Sequence, residues 1–353
     1  MTTVPQQIQT LLSVYEGIFN GVNQNTSPRR IFPGADILIS EYKKISTPHE
    51  ADTFFGIFGV GNASLGLHNP FERQLAYELL LKILQSIDPV QYHKIHKGTP
   101  YYFIGWTTYQ YKDFAKAIFY MDAAVSEDLK FPDVQNKTST RPALDFFLLK
   151  TEAGPSALAT HLELYNTVDT TIKKFNAASG GLITIETFRN KFVDDLLYSG
   201  AQGRSLLTAL YTFLLEHNEK EMQINLRSDS GGSIQPFLDN LFDGARILES
   251  LLEKRGGGGG TLKPKITSTA LISVTANVLL PNKTLADAEN QYLSLVAAGN
   301  SFQDCNFSSA YIIRNTSGHS LLWPDQFTSG NSYKTLYDNL VNSIFWTIEK
   351  LWL

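Results

Sequence analysis

Apolar residues recur along most of the chain at the three- and four-residue spacing that places them on one face of an α-helix. An early example is the run Phe71–Ile87, which ends before Asp88-Pro89 because the residue before a proline disfavours helical geometry. Periodic segments follow between Pro142 and His217, and again from Pro236 onward. The pattern therefore predicts an all-α fold.

The C-terminal third has the pattern of a helical bundle. Pro236 opens an amphipathic run that reaches Arg255, and five glycines after it predict a flexible connection. Four further helices are predicted, at Ile266–Leu279, Leu285–Ala298, Ser301–Ile313 and Ser332–Trp352. Such helices bury their apolar faces around one core. We expect a helical-hairpin domain at 1–150, a connecting helical region at 151–233 and a helical bundle at 234–353.

Gly98–Pro132 has the length of one helical-hairpin repeat. Ile104 and Gly105 fit its first helix, and Ala117 begins a series of small residues that let a second helix approach closely. The stretch resembles one unit of the tetratricopeptide repeat family, with Ala51–Asp88 a candidate for a preceding unit. Because about three repeats are needed to bury a continuous core, we expect a compact hairpin domain rather than a superhelix. The resemblance implies a groove for a protein partner.

Composition narrows the class of protein. At 353 residues the chain exceeds the usual size of one domain, and 43% hydrophobic content is enough for a packed core. A net charge of −4 argues against a general nucleic-acid coat protein but leaves room for a local basic pocket. The single cysteine, Cys305, excludes an intramolecular disulfide. We recognise neither a signal peptide nor an apolar run long enough to cross a bilayer, so we expect a cytoplasmic protein.

The segment 314–319, with sequence RNTSGH, carries the most informative chemistry. Arg314 stays ionised and presents a fork of donors that fits a phosphate, and His319 has an ordinary pKa near 6.5 that suits proton transfer. Asn315 can hold the imidazole or the phosphate through its amide. Together these groups suit RNA cleavage in which the ribose 2′-hydroxyl attacks the adjacent phosphate without a metal ion.

This segment, at the end of a predicted helix in a C-terminal bundle, resembles the Arg-x4–6-His motif of the HEPN superfamily. The resemblance covers residues 236–353 and implies a metal-independent endoribonuclease with no cofactor. It also implies a homodimer in which two motifs form one composite site, and a 2′,3′-cyclic phosphate product. An architecture of this kind suits defence or stress response.

Other interpretations of these residues stay open. An arginine at a helix C-terminus is favourable without any catalytic role, and Ser317-Gly318-His319 is compatible with an ordinary turn. The whole chain is then a catalytically inactive helical adaptor that binds a protein partner. His93 and His96 have an His-x2-His spacing, but no Cys or acidic residue stands beside them in the sequence, so we predict no metal site.

Four cations surround the glycine run and form the most basic part of the sequence: Lys254, Arg255, Lys263 and Lys265. One interpretation is a solvated helix end whose cations complement the helix dipole. The other is contact with an RNA backbone, which would make these residues the RNA-binding site.

Overall fold

The computed structural model describes residues 42–64, 88–152, 158–226, 234–256, 260–281, 283–316 and 330–353, with isolated positions between 74 and 85. These residues form helices and connecting turns, and none of them lies in a β-strand, which confirms the all-α fold. The chain divides into two compact units. One comprises residues 1–146 and 153–160, and the other residues 147–152 and 161–353. Residues of the regions expected at 151–233 and 234–353 thus share the second unit.

Six helices with defined bounds lie in the described part of the chain up to Phe147. They are α1 (Pro48–Ser64), α2 (Pro89–Lys94), α3 (Gly98–Gln110), α4 (Phe114–Asp128), α5 (Pro132–Gln135) and α6 (Pro142–Phe147). The helical hairpin predicted at Gly98–Pro132 is confirmed as α3 and α4, which pack against each other. Asp113 caps α4 by accepting a hydrogen bond from the Lys116 amide (3.2 Å). Most of the predicted Phe71–Ile87 helix lies outside the described residues.

Two buried features hold the first unit together. Gly105 lets α3 approach α4, because a Cβ atom there would lie 2.9 Å from the Ala117 carbonyl oxygen. His96 is 4% exposed and lies between two carboxylates, with Nδ1 3.1 Å from Asp52 and Nε2 3.3 Å from Asp128. Burial alone would lower the pKa of His96, but the two carboxylates raise it to about 9.

The second unit is built from longer helices. They are α7 (Leu158–Ser179), α8 (Ile185–Thr187), a π-helix (Phe188–Val193), α9 (Asp194–Tyr198), α10 (Ala201–Asn225), α11 (Gln235–Gly256), α12 (Leu262–Ser268), α13 (Leu285–Ala297), α14 (Phe302–Thr316) and α15 (Gly330–Trp352). Helix α14 is central: every residue from Asp304 to Ile313 is buried. It packs against α11, α13 and α15.

Polar side chains fix the pairing of α14 with α15. Asn342 donates to the Asn306 side chain (3.1 Å), and Asn339 donates to the Ser309 hydroxyl (3.1 Å). Residue 306 thus pairs with residue 342, and residue 309 with residue 339. Because the numbers rise along α14 while they fall along α15, the two helices are antiparallel. The last turn of α14 and the start of α15 therefore lie at the same end of the pair.

The helix predicted at Ile266–Leu279 is wrong in its extent. Helix α12 ends at Ser268, and two 3₁₀ turns, Ala270–Ile272 and Ala276–Val278, replace the rest. Hydroxyl side chains in this stretch bond to nearby carbonyls, as Thr269 does to Lys265 (2.7 Å), and so compete with helical hydrogen bonding. Ser273 adopts a left-handed conformation with φ of 56°, which also ends a helix.

Candidate functional site

The candidate site begins where the buried run of α14 ends. After Ile313 the helix continues for one more turn, in which Arg314, Asn315 and Thr316 are only half-buried. Thr316 donates to the Ile312 carbonyl (2.6 Å) and closes this turn. The Asn315 amide makes no hydrogen bond with any described residue. The central helix thus carries Arg314 and Asn315 from the core to the surface.

The guanidinium of Arg314 is held from one side. Its Nε donates to the Glu249 carboxylate at 2.7 Å, and its Cζ lies over the Phe242 ring, 5.4 Å from the ring centre. Glu249 and Phe242 both lie on α11, two turns apart and therefore on one face. The terminal nitrogens of Arg314 make no hydrogen bond with any described residue. Among the described residues, the fork that suits a phosphate therefore has no partner, while the side chain is anchored through Nε.

Glu249 also binds Lys265, which is 5% exposed. Lys265 Nζ lies 3.3 Å from Glu249 Oε1 and 2.7 Å from Glu253 Oε2, while Glu249 Oε2 accepts from Arg314. Burial alone would raise the pKa of Glu249, but Arg314 and Lys265 together hold it below its usual range. Burial alone would lower the pKa of Lys265, but its two carboxylate partners raise it.

The four cations considered for RNA contact have different partners in the structure. Lys265 joins Arg314 through Glu249, and Lys263 donates to the Leu279 carbonyl (2.9 Å). Lys254 donates to the Ser199 hydroxyl (3.1 Å). Arg255 pairs with Asp195 (2.8 Å) and stacks over Trp352. The structure thus brings one of the four, Lys265, next to Arg314, and gives the others separate partners.

His319 lies outside the described residues, as does the possible turn at Ser317-Gly318-His319. The described residues on either side of this gap, Thr316 at the end of α14 and Gly330 at the start of α15, lie at the same end of the antiparallel pair.

Other reactive groups in the described part of the chain form no second centre of this kind. Cys305 is buried, and burial raises the pKa of its thiol. Within the described ranges, no three His, Cys, Asp or Glu side chains come together as metal ligands. None of the helices in those ranges combines the length and hydropathy that a bilayer span requires.

The motif that contains Arg314 is visible in the sequence, but the residues that hold the Arg314 side chain are not. Phe242 and Glu249 are ordinary members of an amphipathic helix in the sequence, and 65 positions separate Glu249 from Arg314. One signal was present: Glu249 falls between Leu248 and Leu251, next to the apolar face of α11. Comparison with protein-family models, curated proteins and solved structures found no match to this chain.

Proposed function

We propose that this protein is a metal-independent endoribonuclease of the HEPN type, in which Arg314, Asn315 and His319 form the catalytic group. The observation that carries the proposal is the state of Arg314. Its Nε and its face are occupied by Glu249 and Phe242, while the two terminal nitrogens have no described partner. A guanidinium anchored in this way loses little entropy when it binds a phosphate, because it is already oriented.

The proposed reaction needs two groups from this chain. His319 transfers a proton at the attacking 2′-oxygen or at the leaving 5′-oxygen. Arg314 places its fixed charge against the phosphorane oxygens, whose negative charge increases in the transition state. The P–O5′ bond breaks as the 2′-oxygen bonds to phosphorus, so one fragment ends in a 2′,3′-cyclic phosphate and the other in a free 5′-hydroxyl.

The proposal includes a homodimer. In the HEPN superfamily two copies of the motif face each other across a two-fold axis and form one site. Each chain would then supply half of the catalytic group, and cleavage per chain would fall on dilution below the dimer dissociation constant. Of the four cations considered for RNA contact, Lys265 is the one that shares a carboxylate, Glu249, with Arg314.

The deciding experiment is RNA cleavage by the pure full chain in EDTA. The wild type should cut single-stranded RNA and leave cyclic phosphate ends. Arg314→Ala should lower the cleavage rate by roughly a hundredfold or more, since loss of one oxyanion donor typically costs that much. His319→Ala should lower it by roughly 10²–10⁴-fold.

Two further variants separate catalysis from folding. Arg314→Lys keeps a charge for Glu249 but lacks the planar fork, so it should stay folded and remain deficient. Lys173→Ala removes an exposed cation from α7, where its described partner is Asp169, and should cleave normally. Cleavage that survives in both Arg314→Ala and His319→Ala would exclude this site. A folded wild-type dimer that never cuts RNA would favour the helical adaptor.

A further inference from the structure

The second unit contains a cleft away from Arg314, with a volume of about 520 Å³. Its walls are the segment 148–152 on one side and α7, α8, the π-helix and α9 on the other. Ten residues line it: Leu148, Leu149, Lys150, Thr151, Glu152, Tyr165, Glu186, Arg189, Asn190 and Asp194. This volume lies within the range of small-molecule sites.

Both walls are held in place by buried contacts. The Tyr211 hydroxyl donates to the Phe147 carbonyl (2.8 Å), and a ring nitrogen of His161 lies 3.3 Å from the Lys150 carbonyl oxygen. On the other wall, Phe188 and Phe192 of the π-helix are fully buried. The cleft is therefore preformed and does not depend on a ligand to shape it.

Two departures from regular backbone geometry coincide in these walls. Leu149 is buried and has φ of 54°, a conformation that a leucine rarely adopts. The π-helix has a widened turn in which the Asp194 amide donates to the Arg189 carbonyl, five residues earlier. Features of both kinds are concentrated at functional sites.

The charged groups in the cleft are partly unused. Arg189 donates from Nε to the Asn190 side chain (3.3 Å), and its terminal nitrogens contact no described residue. Glu186, three residues earlier, makes no hydrogen bond or ion pair with any described residue. A guanidinium fork thus lies one helical turn from a carboxylate, and neither has a hydrogen-bond partner among the described residues except at Arg189 Nε.

The charge balance restricts the ligand. Two cations, Lys150 and Arg189, face three carboxylates, Glu152, Glu186 and Asp194, so the lining has a net charge of −1. A polyanion such as a nucleotide is opposed by the carboxylates, and a simple polyamine leaves the Arg189 fork empty. A molecule with one carboxylate and more than one cationic group can bind the Arg189 fork and the carboxylates of the cleft at the same time.

We propose that this cleft binds a cationic amino acid or a short peptide that ends in one. The ligand carboxylate binds the Arg189 fork, and the ligand cations bind Glu186 and its neighbouring carboxylates. The free amino acid and the peptide end share this chemistry. Arg314 of the proposed RNA-cleaving group does not line this cleft.

The test is titration calorimetry on the full chain with four probes: L-arginine, the dipeptide Ala-Arg, adenosine monophosphate and spermidine. L-Arginine or Ala-Arg should bind, and the tighter of the two identifies the source. Arg189→Gln and Glu186→Gln should each weaken that binding by about tenfold or more, the usual effect of losing a charged hydrogen bond. Arg246→Gln, the matched control on α11, should not change it.

Several results would overturn the proposal. They are preferential binding of adenosine monophosphate or of spermidine, no binding of any probe at millimolar concentration, or arginine binding that persists in Arg189→Gln. Thermal unfolding of each variant shows that the fold is intact. If RNA cleavage fails while arginine binding is found, the proposed nuclease is wrong and this site stands.

Discussion

At the residue scale, one carboxylate organises the candidate site. Glu249 uses its two oxygens on different cations, Oε2 for Arg314 and Oε1 for Lys265. Since Lys265 is almost wholly buried, removal of Glu249 would leave it with Glu253 alone. The motif containing Arg314 could be read from the sequence because its residues are adjacent. Glu249 could not, because only folding brings α11 to the end of α14.

We therefore predict that Glu249 positions Arg314 in the proposed reaction. Glu249→Gln keeps a hydrogen-bond acceptor for Nε but loses the charge, so the guanidinium is held less firmly. Single-turnover RNA cleavage should slow by roughly tenfold, the equivalent of about 1.4 kcal/mol, while binding of a non-cleavable 2′-deoxy substrate should change little. Glu253→Gln is the matched control, because Glu253 contacts Lys265 but not Arg314. Equal effects from the two variants would mean that Glu249 has only a structural role.

At the element scale, helix identity could be predicted from the sequence and helix burial could not. Apolar periodicity located α11 and α15 because each buries a regular stripe. Helices α3 and α4 were expected instead from the length and the small residues of one hairpin repeat. The same periodicity would place Asn339 on the polar face of α15, yet Asn339 is buried and donates a hydrogen bond to Ser309 of α14. A polar side chain with a partner across an interface looks the same in sequence as one facing water. The broken region after Ser268 was missed because side-chain competition for carbonyls has no periodic signature.

Two glycines of the first unit provide an element-scale prediction. Gly105 lies where α3 meets α4, so Gly105→Ala should push the helices apart and lower the free energy of unfolding by roughly 1–3 kcal/mol. Gly56 lies within α1, and a Cβ there would meet no atom of the described residues within 4 Å. Gly56→Ala should therefore raise the free energy of unfolding by roughly 0.5–1 kcal/mol, through helix propensity alone. Chemical denaturation measures both changes. A Gly105→Ala variant that is as stable as the wild type would contradict the close packing of α3 on α4.

At the scale of the whole molecule, the two units bury histidines in opposite states. His96 in the first unit lies between Asp52 and Asp128, which raise its pKa to about 9. His217 in the second unit stacks on Tyr337 with ring centres 3.6 Å apart, and burial, aided by Lys334 and Lys174, lowers its pKa to about 3. Sequence alone cannot distinguish these histidines, because the carboxylates that pair with His96 and the ring that stacks on His217 come from other helices.

The two units should consequently lose stability at opposite ends of the pH range. A raised folded pKa means that the stability from His96 is complete below about pH 6.5 and is lost as the pH rises through about 9. The lowered pKa of His217 in the folded protein means that, as the pH falls, this histidine is protonated in the unfolded chain before it is protonated in the folded one. The second unit therefore loses stability as the pH falls from about 6.5 towards 3. Each of these changes in the free energy of unfolding should amount to a few kcal/mol.

Hydrogen exchange read by mass spectrometry separates the two effects, because peptides from α3 and α4 report on the first unit and peptides from α10 and α15 on the second. After correction for the intrinsic exchange rate, protection should fall at alkaline pH in the first set and at acid pH in the second. His217→Phe keeps an aromatic ring against Tyr337 but cannot titrate, so it should reduce the acid sensitivity of the second set and leave the first unchanged.

His96→Gln should lower the protection of the first set of peptides at neutral pH, since two carboxylates then lose the cation between them. Acid sensitivity that is undiminished in His217→Phe would show that another group, and not the buried imidazole, sets the lower limit of stability.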